Sequence, residues 1–407
     1  MSLESPIAML IAAESQRQAD QLSLIASENY VSKAVLEANG SILTNKYAEG
    51  YPGKRYYAGN DIIDQIELEA IAQAQVLFNT DYHVNVQPYS GSPANLAVFA
   101  ALLKPGDTVL ALSLSHGGHL THGHPVSFTG QIYNFVHYGV NQDTELVDPE
   151  EVLRLAKEHR PKLIICGATA YPAFFDFTSF ARIAREVGAW LMVDMAHFSG
   201  LVAGGVYPTP FGSADVITST THKTLRGPRG GIIFCRPEFA KAIDRAVFPG
   251  LQGGPHMNVI AAKAIAFTEA QQPSFHTYAK QIVSNAKTMA FRLQQLGFRM
   301  VADGTDTHLF LLDLSSTTLR GKAAQDLLES IGLILNKNMI PFDTQPPTDP
   351  SGLRIGTPAV TSRGMKEKEM EEIAEIIALA LHNPSQASQL ASRVTSLARK
   401  FRIPTHY

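Results

Sequence analysis

Between about residue 60 and residue 250 the chain alternates short apolar runs with stretches of helical period, and few folds accept that rhythm. Strand patterns fall at 83–88, 108–112, 162–166, 190–194, 216–220 and 231–235. Helical patterns at 61–78, 93–103, 149–158 and 180–187 lie between several of them. Strands so apolar are buried on both faces. They imply an α/β fold with a mostly parallel central sheet, helices on both faces and right-handed crossovers. Helical patterns at 258–271 and 275–296 follow, then strands at 308–312 and 333–335 among helices near 321–330 and 366–381. This reads as a smaller C-terminal α/β domain with an antiparallel sheet. Residues 1–30 read as an N-terminal arm, helical through 7–21, with little core of its own. The expected division is an arm at 1–30, a large domain at 31–270 and a small one at 271–407.

Two strand ends carry the chemistry. The run from Val216 through Thr221 and His222 ends on Lys223, with Gly227, Gly230 and Gly231 letting the backbone fold close around it. A lysine delivered from a rigid strand is a candidate Schiff-base nucleophile, although most lysines are solvated surface residues. One strand earlier, Trp190-Leu-Met-Val-Asp194 places a carboxylate at the sheet edge where open α/β folds bind ligands. That carboxylate either caps the next helix or meets a cation. Pyridoxal phosphate (PLP) supplies such a cation, because a facing carboxylate keeps its ring nitrogen protonated. Asp194 and Lys223 together favour that reading.

Other segments fit around it. Ser90-Gly91-Ser92-Pro93 follows a strand and opens a helix, with Ser92 as the expected N-cap; the same residues build either a phosphate site or an ordinary capped helix. Four histidines fall between His116 and His124. No carboxylate or cysteine completes a metal set nearby in sequence, so no metal is expected, and a ring stacked on a flat cofactor suits the loop better. His119 is the choice, though spacing does not separate it from His116 or His122. The stretch 45–60 is rich in tyrosine, glycine and charge, and loops of that kind carry function. Within it Glu49 is a candidate acid or base if partly buried. Arg354 begins an apolar strand-like run and suits a substrate carboxylate, with a surface salt bridge as the alternative.

Composition excludes several classes. With 34 basic and 37 acidic residues, the formal charge of -3 argues against a nucleic-acid binder. Cys166 and Cys235 lie in apolar runs and read as core thiols of a reducing compartment. No stretch has membrane-spanning length, and the first residues lack a secretory pattern, so a soluble cytoplasmic protein is expected.

At this point the chain resembles the serine hydroxymethyltransferase family, fold-type I PLP enzymes, over nearly its whole length. The resemblance rests on Leu24-Ile-Ala-Ser-Glu-Asn29, on Thr44 through Tyr57, on Ser90-Gly-Ser92 and on His116 through Gly123. Val193-Asp-Met-Ala-His197, Thr220-Thr-His-Lys-Thr224, Phe248 through Pro255 and Arg354-Ile-Gly-Thr-Pro358 complete it. It implies PLP bound covalently on Lys223, Asp194 at the ring nitrogen, His119 on the ring face and His197 at the phenolic oxygen. Thr169 would lie beside the cofactor. Ser90, Gly91, Ser92 and His222 would hold phosphate, joined by Tyr47, Gly253 and Gly254 from the partner of a homodimer with shared sites. Ser27 and Arg354 would hold the substrate carboxylate. Glu49 and Tyr57, again from the partner, would serve proton transfer and the folate. Leu114, Gly118 and Leu120 would line the folate site with Asn338 nearby, and Arg229 would support the lysine.

The implied reaction moves serine's hydroxymethyl carbon to tetrahydrofolate, reversibly, giving glycine and 5,10-methylenetetrahydrofolate. Folate-independent cleavage of β-hydroxy amino acids, or preference for α-methylserine, is also open to such a chain, and a regulatory protein without turnover is the alternative class. The chain departs from the family at Thr169 (commonly serine), His256 (usually leucine), Asn258 (usually histidine) and the segment 345–350.

Overall fold

The computed structural model describes residues 5–404. The opening residues read for a targeting signal, 1–4, and the closing 405–407 lie outside them. Two compact units result: Val31–Lys280, and the chain up to Tyr30 together with everything from Gln281 onward.

The larger unit is built on seven strands. In spatial order they are His83–Asn85, Gly231–Cys235, Val216–Thr220, Trp190–Asp194, Leu163–Cys166, Thr108–Leu112 and Asn134–Tyr138. The last five run parallel; Gly231–Cys235 is antiparallel to both of its neighbours. The reason is local. Only the short stretch 221–230 joins Val216–Thr220 to Gly231–Cys235, too little chain for a crossover, so the strand must turn back. That return loop is the one that carries Lys223.

On one face, Val109, Ala111, Leu163, Ile165, Met192 and Ile233 pack with Ala94, Ala97, Val98 and Phe99 of helix Gly91–Leu102 in one buried cluster. These are the apolar residues that the period of the sequence assigns to a core. The predicted strands at 108–112, 190–194, 216–220 and 231–235 form as expected. The one at 83–88 stops at Asn85, whose side chain accepts from the Gln87 amide and turns the backbone. Asn134–Tyr138 is an additional edge strand.

The smaller unit holds an antiparallel sheet in the order Arg299–Met300, Leu309–Asp313, Gly352–Gly356, Asn336–Asn338. The predicted strand at 333–335 is not part of it. Leu333–Ile334 instead pairs in parallel with Leu22–Ser23. The N-terminal stretch therefore has a core to join: Leu22 and Leu24 are fully buried in the cluster of Phe310, Leu353, Ile373 and their neighbours. Arg363 fastens it, donating to the carbonyls of Gln18, Ala19 and Gln21, at the end of helix Pro6–Asp20, and to those of Ala398 and Phe401. A cation on helix C-terminal carbonyls is the favourable sense of that contact.

Candidate active site

Asp194 ends its strand 8 % exposed, and it is not alone there. Its Oδ2 accepts from Asn95 Nδ2 at 2.9 Å and lies 3.2 Å from His122 Nε2; Oδ1 accepts from the Ala196 amide at 3.1 Å. Burial by itself would raise this carboxyl. The adjacent His122 and His119 and the Asn95 amide outweigh burial and hold it well below the usual carboxylate range. The carboxylate missing around the histidine loop in sequence is therefore brought in from another strand. Among the described residues, no group of three or more His, Cys, Asp or Glu side chains gathers to hold a metal.

From Asp194 the hydrogen bonds run on. Asn95 also donates to Thr121 Oγ1 at 2.9 Å, and that hydroxyl lies 2.7 Å from His119 Nδ1. The Thr121 amide also donates to His119 Nδ1. The neutral ring then carries its proton on Nε2. Burial first, then the neighbouring His122, lowers His119 to about 4. An uncharged, oriented imidazole is the result. Of the three histidines that spacing leaves open, His122 is the one on Asp194, while His116 Nδ1 accepts from the Val140 amide away from it.

The lysine loop is locked from below. Thr224, fully buried, donates to His197 O at 2.9 Å and accepts from the Gly200 amide at 3.0 Å, so the residue after Lys223 is fixed to the Asp194 side of the sheet. Lys223 is half-buried, and its charge acts on both His119 and His222. His222 is lowered to about 3, chiefly by burial and then by Arg229 and Lys223. Its Nδ1 is buried with no hydrogen-bond partner. Thr169 donates to Gly118 O at 2.9 Å and Gly117 O at 3.2 Å, which ties its strand end to the histidine loop. Leu114 and Leu120 flank that loop as exposed apolar side chains, 37 % and 48 % exposed.

Ser90, Gly91 and Ser92 open helix Gly91–Leu102, but the cap is Ser90, not Ser92. Ser90 is extended at φ -161° and its carbonyl accepts from the Ala94 amide, which closes the first turn. Pro93 does not force a later start, because the first-turn amides have no intrahelical acceptor to lose.

A second group stands together on the larger unit. Tyr47 donates to Glu49 Oε1 at 3.2 Å and meets Tyr57 edge-on at 5.0 Å. A Cβ on Gly253 would lie 3.3 Å from Glu49 Oε1, and one on Gly254 would lie 3.4 Å from the Tyr47 ring. Tyr47 and Tyr57 are about half exposed, at 54 % and 49 %. His256, where the family pattern has leucine, stacks on Tyr89 with ring centres 4.3 Å apart.

In the smaller unit Arg354 is half-buried mid-strand, donating from Nε to Asn336 Oδ1 at 3.0 Å. Burial lowers it to about 10, so it stays charged at neutral pH. Ser27 is held beside that strand: the Gly356 amide donates to Leu24 O, and Ala26 packs against Gly356. Asn338 donates to Met339 O.

The larger unit's groups suit PLP: an ionised Asp194, a neutral oriented imidazole, a strand-end lysine, and a His222 nitrogen with no protein acceptor or donor of its own. Sequence reading missed Asn95 and Thr121. Asn95 had a signal, as the lone amide in the apolar helix Gly91–Leu102, since buried amides are kept for their hydrogen bonds. Thr121 had none apart from its place in the histidine loop. Compared with protein families, residues 2–377 match the one described as Serine hydroxymethyltransferase.

Proposed function

This chain belongs to the serine hydroxymethyltransferase family and is a PLP-dependent transferase with tetrahydrofolate as co-substrate; from that premise we propose its reaction and the residues that perform it. It moves the hydroxymethyl carbon of serine to tetrahydrofolate, leaving glycine and 5,10-methylenetetrahydrofolate. The observation that carries the reading is the buried Asp194, fixed by Asn95 and His122 one strand away from the loop of Lys223.

PLP, when bound on Lys223, supplies the electron sink for the pair released as the Cα–Cβ bond of serine breaks. Asp194 keeps a proton on the ring nitrogen, which a neutral aspartic acid would not do. Asn95 and Thr121 set the His119 ring in one orientation, so its flat face is presented without a competing charge. His222, whose buried Nδ1 has no partner in the protein, stands at the phosphate alongside Ser90, Gly91 and Ser92. Arg354 and Ser27 take the substrate carboxylate, for which a guanidinium fork is suited. Glu49 handles the proton balance as the one-carbon unit leaves, with Tyr57 beside it and Leu114, Gly118, Leu120 and Asn338 against the folate.

Tyr47, Glu49, Tyr57, Gly253 and Gly254 form one partly exposed cluster, and we assign them to the site of a second copy of the chain in a homodimer. The buried thiols Cys166 and Cys235 agree with a cytoplasmic setting. No helix among the described residues is long and apolar enough to cross a membrane.

The test is a visible spectrum of the PLP-loaded protein, alone, with glycine, and with glycine plus tetrahydrofolate. A new long-wavelength band only when folate joins glycine supports the transfer reaction. A spectrum indifferent to folate, with faster cleavage of allo-threonine or α-methylserine than of serine, moves the assignment to a folate-independent aldolase or an α-methylserine enzyme.

A further inference from the structure

Helix Met257–Ala270 carries a lysine that none of these steps uses. Lys263 is 1 % exposed. Its ammonium donates to Val86 O at 2.6 Å, Gly231 O at 2.7 Å and Pro88 O at 3.2 Å. Three N–H groups meet three backbone carbonyls, and no carboxylate is among these acceptors. Burial lowers it to about 7, against a smaller opposing pull from the charge of Glu67. An apolar side chain would fill this place at less cost in desolvation. What it would lack is the charge and the three donors.

The three carbonyls belong to two segments that meet at one place. Val86 and Pro88 lie on the stretch between strand His83–Asn85 and the helix start at Ser90, Gly91 and Ser92. Gly231 is the first residue after the Lys223 loop. The Gly231 amide donates to Pro88 O at 3.0 Å, and a Cβ on Gly231 would lie 2.4 Å from Ser90 O. On the other side of the joint, the Thr221 amide donates to Gly230 O at 3.1 Å. The charge of Lys263 also acts on His222, the residue with the unpartnered buried Nδ1.

We infer that Lys263 is a positioning residue for the cofactor's phosphate: through its three carbonyl contacts it ties the segment ending in Ser90, Gly91 and Ser92 to the loop of His222 and Lys223. This rests on reading those serines and His222 as the phosphate site. The role is separate from the amino-acid chemistry, because none of the three carbonyls belongs to a residue assigned to substrate.

The test compares PLP with pyridoxal, which has the same ring and aldehyde but no phosphate, titrated by absorbance into the cofactor-free full chain. Lys263→Met is expected to weaken PLP at least about tenfold, as loss of a charged hydrogen-bonding group implies, and pyridoxal no more than about twofold. Gly230→Ala is the second variant. Its new Cβ would stand 2.4 Å from Lys263 Cε, displacing the ammonium without removing it, and the same split between the two aldehydes is expected. If Lys263→Met does not fold, Gly230→Ala decides alone. Equal weakening of both aldehydes, or of neither, overturns the role. If the wild type itself does not prefer PLP, or Ser92→Ala leaves its preference intact, the phosphate reading falls and this inference with it. Preference lost in Ser92→Ala but kept in both other variants overturns Lys263 alone.

Discussion

Asp194 was legible in the sequence because a strand's last residue is fixed in direction by the strand itself, and Lys223 because it follows strand Val216–Thr220 on a short glycine-rich return loop. Asn95 was not, because its meaning lies in what it touches: a carboxylate ninety-nine positions away and the Thr121 hydroxyl. The same constellation makes the cofactor-free protein sensitive to acid. His119 is lowered to about 4 and His222 to about 3, both from 6.5 and both chiefly by burial. Well above pH 7 these rings are neutral in folded and unfolded chain alike and contribute nothing to the pH dependence. As pH falls from 6.5 toward 4 the unfolded chain takes up protons that the folded one refuses, so stability drops. The depressed Asp194 acts in the same direction lower down, since its contribution is lost as pH falls below the unfolded carboxyl's range. Urea midpoints are expected to fall steadily from pH 7 to pH 5, and His222→Gln to flatten the fall. A flat wild-type profile would mean that both imidazoles titrate as in free solution.

At the scale of elements, buried parallel strands announced themselves as apolar runs, and their predicted ends hold to within a few residues. The strand that escaped notice, Asn134–Tyr138, stands at the sheet's edge, where only one side needs covering. Its Asn-Phe-Val-His-Tyr is neither a continuous apolar run nor a strict alternation, so it carries no clear strand period. The same limit hid the pairing of Leu22–Ser23 with Leu333–Ile334, since two-residue strands carry no period. Turns are set more strictly. Gly117 ends the 3-10 turn Leu114–His116 at φ +104°, and a Cβ there would lie 2.5 Å from Ala170 O. Gly117→Ala must strain the backbone and push on a neighbouring backbone at once, at a cost of about 1–3 kcal/mol. The expected result is a lower melting temperature and poorer cofactor retention, because the loop ending in His119 and His122 moves with it. Unchanged cofactor affinity at reduced stability would separate the loop's geometry from the site.

At the scale of the whole molecule, the cluster of Tyr47, Glu49, Tyr57, Gly253 and Gly254 bears on assembly. If it completes a partner's site, Lys223→Ala and Glu49→Gln each inactivate the homodimer, yet dimers mixed from the two contain one intact site. Refolding equal amounts together is then expected to restore about a quarter of wild-type activity, as random pairing in a twofold dimer gives. No recovery in mixed dimers confirmed by mass would place Glu49 in its own subunit's site. What the sequence determined alone is the alternation of elements, the strand end that bears Asp194, the short loop after a strand that bears Lys223, and the motifs of the family, because period and strand direction are local properties of the chain. Only the tertiary structure decided that Asn95 and His122 share Asp194, that Ser90 caps the helix and that Lys263 ties two loops through three carbonyls. Apart from the helix cap, those contacts join residues far apart in the chain, and hydrogen bonds to backbone carbonyls leave no mark in the sequence of the residue that accepts them.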